Sequence, residues 1–205
     1  IWNQAAINRF GPEATPYLIT SDQISDTDWI DLVTRTGSQQ ETSVNITGGT
    51  GQTRYYIGGT WRWEEGYVRN NEQSRYSTRI RLDHNLSDRV RVGVNLSPSR
   101  TDNHRIYVEN SVSSPITYSF LMPPNVAARL ADGSLNPGDN VNPLGPAFPG
   151  TPLTNIEGVT ARSNLTRVLG SADLQWMITG NLSLNSEFGI DLFQLQENVH
   201  NASIT

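Results

Sequence analysis

The sequence has no cysteine, no lysine, three histidines and two methionines, and no long apolar run. Without cysteine there is no disulfide, no thiol nucleophile and no cysteine-ligated metal. A membrane-crossing helix needs about 20 consecutive apolar residues, and none of the runs here approaches that. His84, His104 and His200 are scattered over three separate stretches. His84 falls on the apolar phase of its segment beside a turn, the place of an interfacial residue rather than a base. The serines form no G-x-S-x-G elbow, and there is neither a Walker-type loop nor a G-x-G-x-x-G. Glu64 and Glu65 sit in a loop, where paired carboxylates are solvated. The chain is therefore read as a non-enzyme with no cofactor. All fifteen basic residues are arginine, and the net charge of -5 argues against a nucleic-acid binder. No signal-peptide pattern is visible at Ile1. The chain starts mid-pattern, which reads as a fragment or a processed piece.

What is present is alternation. Between Asp28 and Arg100, four segments place apolar and polar side chains on opposite faces with period two, the signature of a two-faced strand. In the first, Thr42, Val44 and Ile46 oppose Ser43, Asn45 and Thr47. In the second, Tyr55, Ile57, Gly59, Trp61 and Trp63 oppose Arg54, Tyr56, Thr60 and Arg62. In the third, Tyr76, Thr78, Ile80, Leu82 and Leu86 oppose Arg75, Ser77, Arg79, Arg81 and Asp83. In the fourth, Val90, Val92, Val94 and Leu96 oppose Arg91, Gly93, Asn95 and Ser97. Farther on, Val168, Gly170, Ala172, Leu174 and Trp176 begin a second pair of such segments, completed by Leu182, Leu184, Phe188, Ile190 and Leu192.

Strands of about ten residues, apolar on one face and rimmed by aromatics, fit the wall of a transmembrane β-barrel. A soluble antiparallel sandwich has the same alternation. Connection lengths separate the two. Turns at 48–52, 87–89 and 179–181 are short; 64–73 is longer, and 100–163 is very long. Short turns alternating with long loops are the habit of outer-membrane barrels. The fold expected is all-β: an antiparallel meander forming part of a transmembrane barrel, with one long outer loop. The chain then divides into an irregular or short helical lead-in (1–40), four barrel strands (41–99), the long loop (100–163), two further strands (164–192) and the start of another loop (193–205).

The long loop holds eight of the eleven prolines. A loop of that length is functional or disordered more often than passive. Asn125 to Leu130 reads as a helical turn and Asp132-Gly133-Ser134 as a tight turn. Tyr107, Tyr118, Phe120 and Phe148 are the candidates to stack on a sugar ring or pack a peptide; the alternative is that they anchor the loop. Asp132, Asn136, Asp139, Asn140 and Asn142 carry oxygen ligands that suit calcium, but their spacing matches no EF-hand, and no metal site is assigned.

The run SVNITGGTGQTRYYIGGTWRWEEGYVRNNEQSRYSTRIRLDHNLSDRVRVGVNLSPS resembles the early barrel of SusC/RagA-type TonB-dependent transporters. The likeness is carried by Ser43 to Gly49, Thr53 to Tyr56, Glu65 to Val68, Arg75 to Leu82 and Asp88 to Leu96. Asp28-Trp29 and Arg35-Thr36 fit upstream, and Arg167 to Gly170 with Phe188 to Asp191 resemble the next hairpin. The family's plug motif and a TonB-box-like segment are not found. The resemblance implies a bacterial outer-membrane location and import of oligosaccharide or peptide. It implies contact with membrane lipid, a SusD-like surface lipoprotein as lid, and TonB acting through a plug domain not in this sequence. Arg54, Arg62, Arg75, Arg79 and Arg81 would face the lumen or plug. Two other classes stay open at this point: a structural subunit of an outer-membrane assembly, and a soluble sugar-binding β-sandwich.

Overall fold

The structure is a computed structural model describing residues 2–11, 25–106, 114–138 and 150–201. Six strands make one antiparallel sheet in sequence order: β1 (Ser38–Gly49), β2 (Thr53–Glu65), β3 (Glu72–Ser87), β4 (Val90–Arg105), β5 (Val159–Thr179) and β6 (Leu182–Asn201). Each strand pairs only with its chain neighbours, so β1 and β6 are the two edges. Among the described residues no helix is long and apolar enough to cross a membrane.

The register lines up every apolar phase read from the sequence. One row runs Ile46, Ile57, Ile80, Leu96, Gly170 and Ile190; the next runs Tyr55, Leu82, Val94, Ala172 and Phe188. These side chains are uncovered, with Val44 65% and Phe188 67% exposed. A sandwich would bury this face under a second sheet, and no second sheet is present among the described residues.

The strands outrun their sequence reading. β4 continues through Pro98 to Arg105, β5 begins at Val159, and β6 runs to Asn201 rather than giving way to a loop after Phe193. Pro98 is tolerated because it faces β5 in register with Val168, while the ladder to β3 skips Thr78 and Arg79 opposite it; proline has no N–H to give that ladder.

Among the described residues there are also four short helices: α1 (Trp2–Phe10), α2 (Trp29–Val33), α3 (Pro115–Leu121) and α4 (Pro152–Glu157). Three of them have side-chain caps. Asp28 accepts from Asp31 N at 3.0 Å, Ser114 from Thr117 N at 3.3 Å, and Thr151 forms a reciprocal capping box with Thr154. The segment 125–130 is not the helix expected from its sequence. Its carbonyls are drawn into other bonds: Val126 O accepts from Thr27 Oγ1, Ala127 O from Asn136 Nδ2 and Ala128 O from Asn136 N. Carbonyls committed elsewhere cannot build an i to i+4 ladder.

Helices α2 to α4 and the loop 66–71 form a cap at the long-loop end of the sheet. Trp29, Tyr118, Met122, Val126 and Leu153 make one buried cluster; Val33, Val68, Ile106 and Ile156 make a second. Polar bonds tie the pieces together: Trp29 Nε1 donates to Pro123 O at 3.0 Å, Ser119 Oγ to Trp29 O at 3.3 Å and Asn70 Nδ2 to Ile156 O at 2.9 Å.

Candidate functional site: the charged face of the sheet and the cap

The face opposite the apolar one is built by the other phase of the same strands. Along β2 and β3 it carries Arg54, Arg62, Arg75, Arg79 and Arg81; β4 adds Arg91, and β5 and β6 add Asp173, Glu187, Asp191 and Arg167. Asp83 is the organising carboxylate. It accepts from Arg81 Nε at 2.9 Å and from Arg91 at 2.8 Å, and its side chain is only 14% exposed. Arg167 pairs with Asp191 through Nε at 2.9 Å, and Arg62 pairs with Glu64 on the same strand. The side chains of Arg54, Arg75 and Arg79 form no hydrogen bond or ion pair among the described residues. They are cations on an exposed face with their donors free.

Small residues let this face lie flat. Asp173 sits over Gly93 so closely that a Cβ there would collide with its carboxylate. Across β4, Asp173 also acts electrostatically on the Arg81 guanidinium of β3. Nearby, Asn95, Ser97, Ser171, Gly189 and Asp191 line a shallow depression of about 410 Å³. Asn95 donates to Ser171 Oγ at 3.4 Å, while its own Oδ1 is buried without a partner.

The four aromatic candidates of the long loop separate. Tyr118 is fully buried, and its hydroxyl donates to Gly150 O at 2.8 Å. The expectation that it stacks on a ligand is corrected: the ring is a core element of the cap, holding α3 to the segment before α4. Phe120, two residues on along the same helix, is 75% exposed. Residues two apart on a helix do not share a face, so burying one turns the other to solvent. Tyr107 and Phe148 lie outside the described residues.

Residues to which the sequence assigned no such role hold the cap to the wall. Arg35 donates to Glu65 Oε1 at 2.9 Å, Gly66 O at 3.2 Å, Asn71 O at 3.2 Å and Glu72 Oε1 at 3.4 Å, pinning both ends of the β2–β3 connection. Asn70, with φ 61°, gives that loop its sharp turn. A lone arginine before a strand carries no sequence signal of such a role. Of the oxygens considered for calcium, those of Asp132 and Asn136 are used internally. Asp132 accepts from the Ser134 hydroxyl at 2.6 Å and from Ser134 N at 2.9 Å, bonds that hold its carboxyl below the ordinary carboxylate range. Asn136 is committed to Gly138 N and Ala127 O; Asp139, Asn140 and Asn142 lie outside the described residues. Among the described residues no group of three or more acidic or histidine side chains comes together as a metal site.

An uncovered apolar face backed by a charged one, in an open six-strand meander, has clear counterparts. The structure of the RagAB peptide transporter matches 96% of this chain with a TM-score of 0.63 and 20% identity. The RagAB peptide importer in its closed-closed state matches 84% with a TM-score of 0.62 and 22% identity. The sheet shares its fold with a stretch of those transporters. The TonB-dependent receptor P3 of Formosa agariphila is 25% identical over 126 residues, 59% of this chain and 12% of that receptor. No protein-family model matches the chain. The chain spans about a fifth of the length of the solved transporters. By name these similar proteins are a receptor and peptide transporters.

Proposed function

We propose that this chain supplies wall and outer cap to a TonB-energised importer of oligosaccharide or peptide. Its apolar face meets lipid and its charged face meets the lumen. The observation that carries this reading is the pairing of two opposite faces through all six strands, apolar rows such as Ile46 to Ile190 on one side and Arg54 to Glu187 on the other. Arginine presents five fixed donors that suit carboxylates and carbonyls. Arg54, Arg75 and Arg79, unpaired within the sheet, are the side chains offered to acidic groups of a plug; Arg62 and Arg81 are already neutralised and shape the surface. Phe120 on the exposed side of α3 is the aromatic offered to substrate or to a lid lipoprotein.

The test is uptake by cells carrying the full-length protein. Phe120→Ala should lower substrate uptake while barrel abundance in the outer membrane stays the same. The double change Arg75→Glu, Arg79→Glu should leave the barrel inserted but let larger solutes leak, because the plug is no longer held. Normal uptake and normal permeability in both variants would remove these residues from the site.

A further inference from the structure

The cap encloses a cavity of about 520 Å³, within the range of small-ligand sites. Four separate stretches of chain converge on it. Leu32 comes from α2, Arg69 and Asn70 from the loop 66–71, Ala128 and Arg129 from the segment 125–130, and Leu153, Ile156 and Glu157 from α4. Its floor is aliphatic and lies at the seam of the two buried clusters. Leu153 belongs to the first and Ile156 to the second, and both are held rigidly by the core behind them. Leu32 and Ala128 are half-buried and complete the floor. Among the described residues no aromatic ring lines the cavity.

The rim is polar and braced. Asn70 Nδ2 donates to Ile156 O at 2.9 Å. Arg69 donates through Nε to Thr34 O at 3.1 Å and through Nη2 to Asp31 O at 3.4 Å. Arg129 Nη2 meets both carboxylate oxygens of Glu157, at 2.7 and 2.8 Å. These bonds leave a remainder. Arg129 and Glu157 cancel in charge, whereas Arg69 has no carboxylate partner among the described residues, and its Nη1 donates to nothing there. Asn70 Oδ1 likewise accepts nothing there. The cavity therefore presents an aliphatic floor, an uncompensated guanidinium and a free amide acceptor.

Each of these features selects among ligands. A neutral sugar carries hydroxyls on every edge, and an aliphatic floor would leave some of them unpaired at a cost. A fatty acid would fill the floor and meet Arg69, but it brings no N–H for Asn70. A peptide ending in an aliphatic residue answers all three features. A guanidinium presents parallel donors matched to a carboxylate. We propose that this cavity binds the C-terminal residue of a peptide whose last side chain is aliphatic. Arg69 holds the terminal carboxylate, the floor takes the side chain and Asn70 Oδ1 accepts the last peptide N–H. The assignment rests on the importer reading and narrows its cargo to such peptides.

The test uses the purified full-length protein in detergent and a tetrapeptide ending in leucine, fluorescently labelled at its N-terminus. The free acid should bind at least about tenfold more tightly than its C-terminal amide, the loss expected for one charge-assisted pair. The same peptide ending in serine should also bind more weakly than the leucine acid. Arg69→Gln should bring acid and amide to one affinity, whereas a mere loosening of the cap would weaken both in proportion. Ala128→Glu, which sets a like charge on the floor, should weaken the acid more than the amide. Equal binding of acid and amide by the unaltered protein would overturn the site, and so would an acid preference that survives Arg69→Gln. Octanoate that displaces the probe as well as unlabelled peptide does would make the ligand a fatty acid and overturn the peptide assignment. Uptake by whole cells keeps this apart from the importer reading. Peptide import indifferent to the C-terminal residue would overturn the site and leave the importer standing. Tight binding of the leucine acid without import would support the site and remove the importer.

Discussion

The lower sheet and the cap are built by opposite rules. The sheet has no core of its own: Val44, Ile57, Leu82, Phe188 and Leu192 are all exposed, and what they need is a solvent that is not water. The cap is an ordinary small core, with Trp29, Val33, Tyr118 and Ile156 buried and their polar atoms answered by backbone carbonyls. The difference shows how one short chain can serve two media. Where the surroundings are apolar, backbone pairing across the strands and an outward apolar face suffice. Where they are aqueous, the apolar residues must find one another.

The sharpest way to break the comparison is to damage the cap alone. Tyr118→Ala removes a fully buried ring and its bond to Gly150 O, and should cost about 3–5 kcal/mol of cap stability. Limited proteolysis of the region 114–158 should accelerate while strand protection by hydrogen exchange is unchanged. Loss of strand protection as well would mean that cap and wall fold as one unit. Next in size is the wall. Val94→Arg puts a charge in the middle of the apolar band and should cost about 2–4 kcal/mol, read as loss of assembled barrel in the outer membrane. Gln194→Arg, on the same face where its side chains have turned polar, should change stability by less than about 0.5 kcal/mol. Equal losses for the two would erase the distinction between the media.

A smaller effect probes the polar side of the cap. Trp29→Phe keeps most of the buried ring but removes the shorter of the two bonds to Pro123 O, which keeps the Val126 N–H at 3.3 Å. Losing one such bond costs about 0.5–1.5 kcal/mol, measured as increased protease sensitivity of the 114–138 segment.

How much of this could be read beforehand follows from the same contrast. The wall was legible because alternation is local: each strand declares its faces within a few residues, and the shared register followed from the apolar phases. Its ends were not legible. Beyond Leu192 and Val168 the phase that was apolar carries Gln194, Gln196, Thr166 and Asn164, so a reading that follows the apolar phase stops there and mistakes continuing strand for loop. The cap was hidden for a different reason. Trp29 donates to Pro123 across 94 residues, and Thr27 to Val126 across 99, so no window of sequence contains the pair. The same gap explains Tyr118: its irregular spacing among loop aromatics gave no sign of which would be claimed by a partner far back in the chain.

The smallest expected effect separates the two charged clusters. Asp83, bound by Arg81 and Arg91, is largely sheltered, whereas Arg167 and Asp191 are both nearly half exposed within this chain. An exposed pair is weakened by salt; a sheltered one is weakened far less. A double-mutant cycle of Asp83→Asn with Arg91→Gln should give a coupling that barely changes between low and high salt. The cycle of Arg167→Gln with Asp191→Asn should give a coupling that falls toward zero in high salt. A coupling there that resists salt would mean that the full-length protein covers the pair, and equal salt responses in the two cycles would erase the distinction between the clusters.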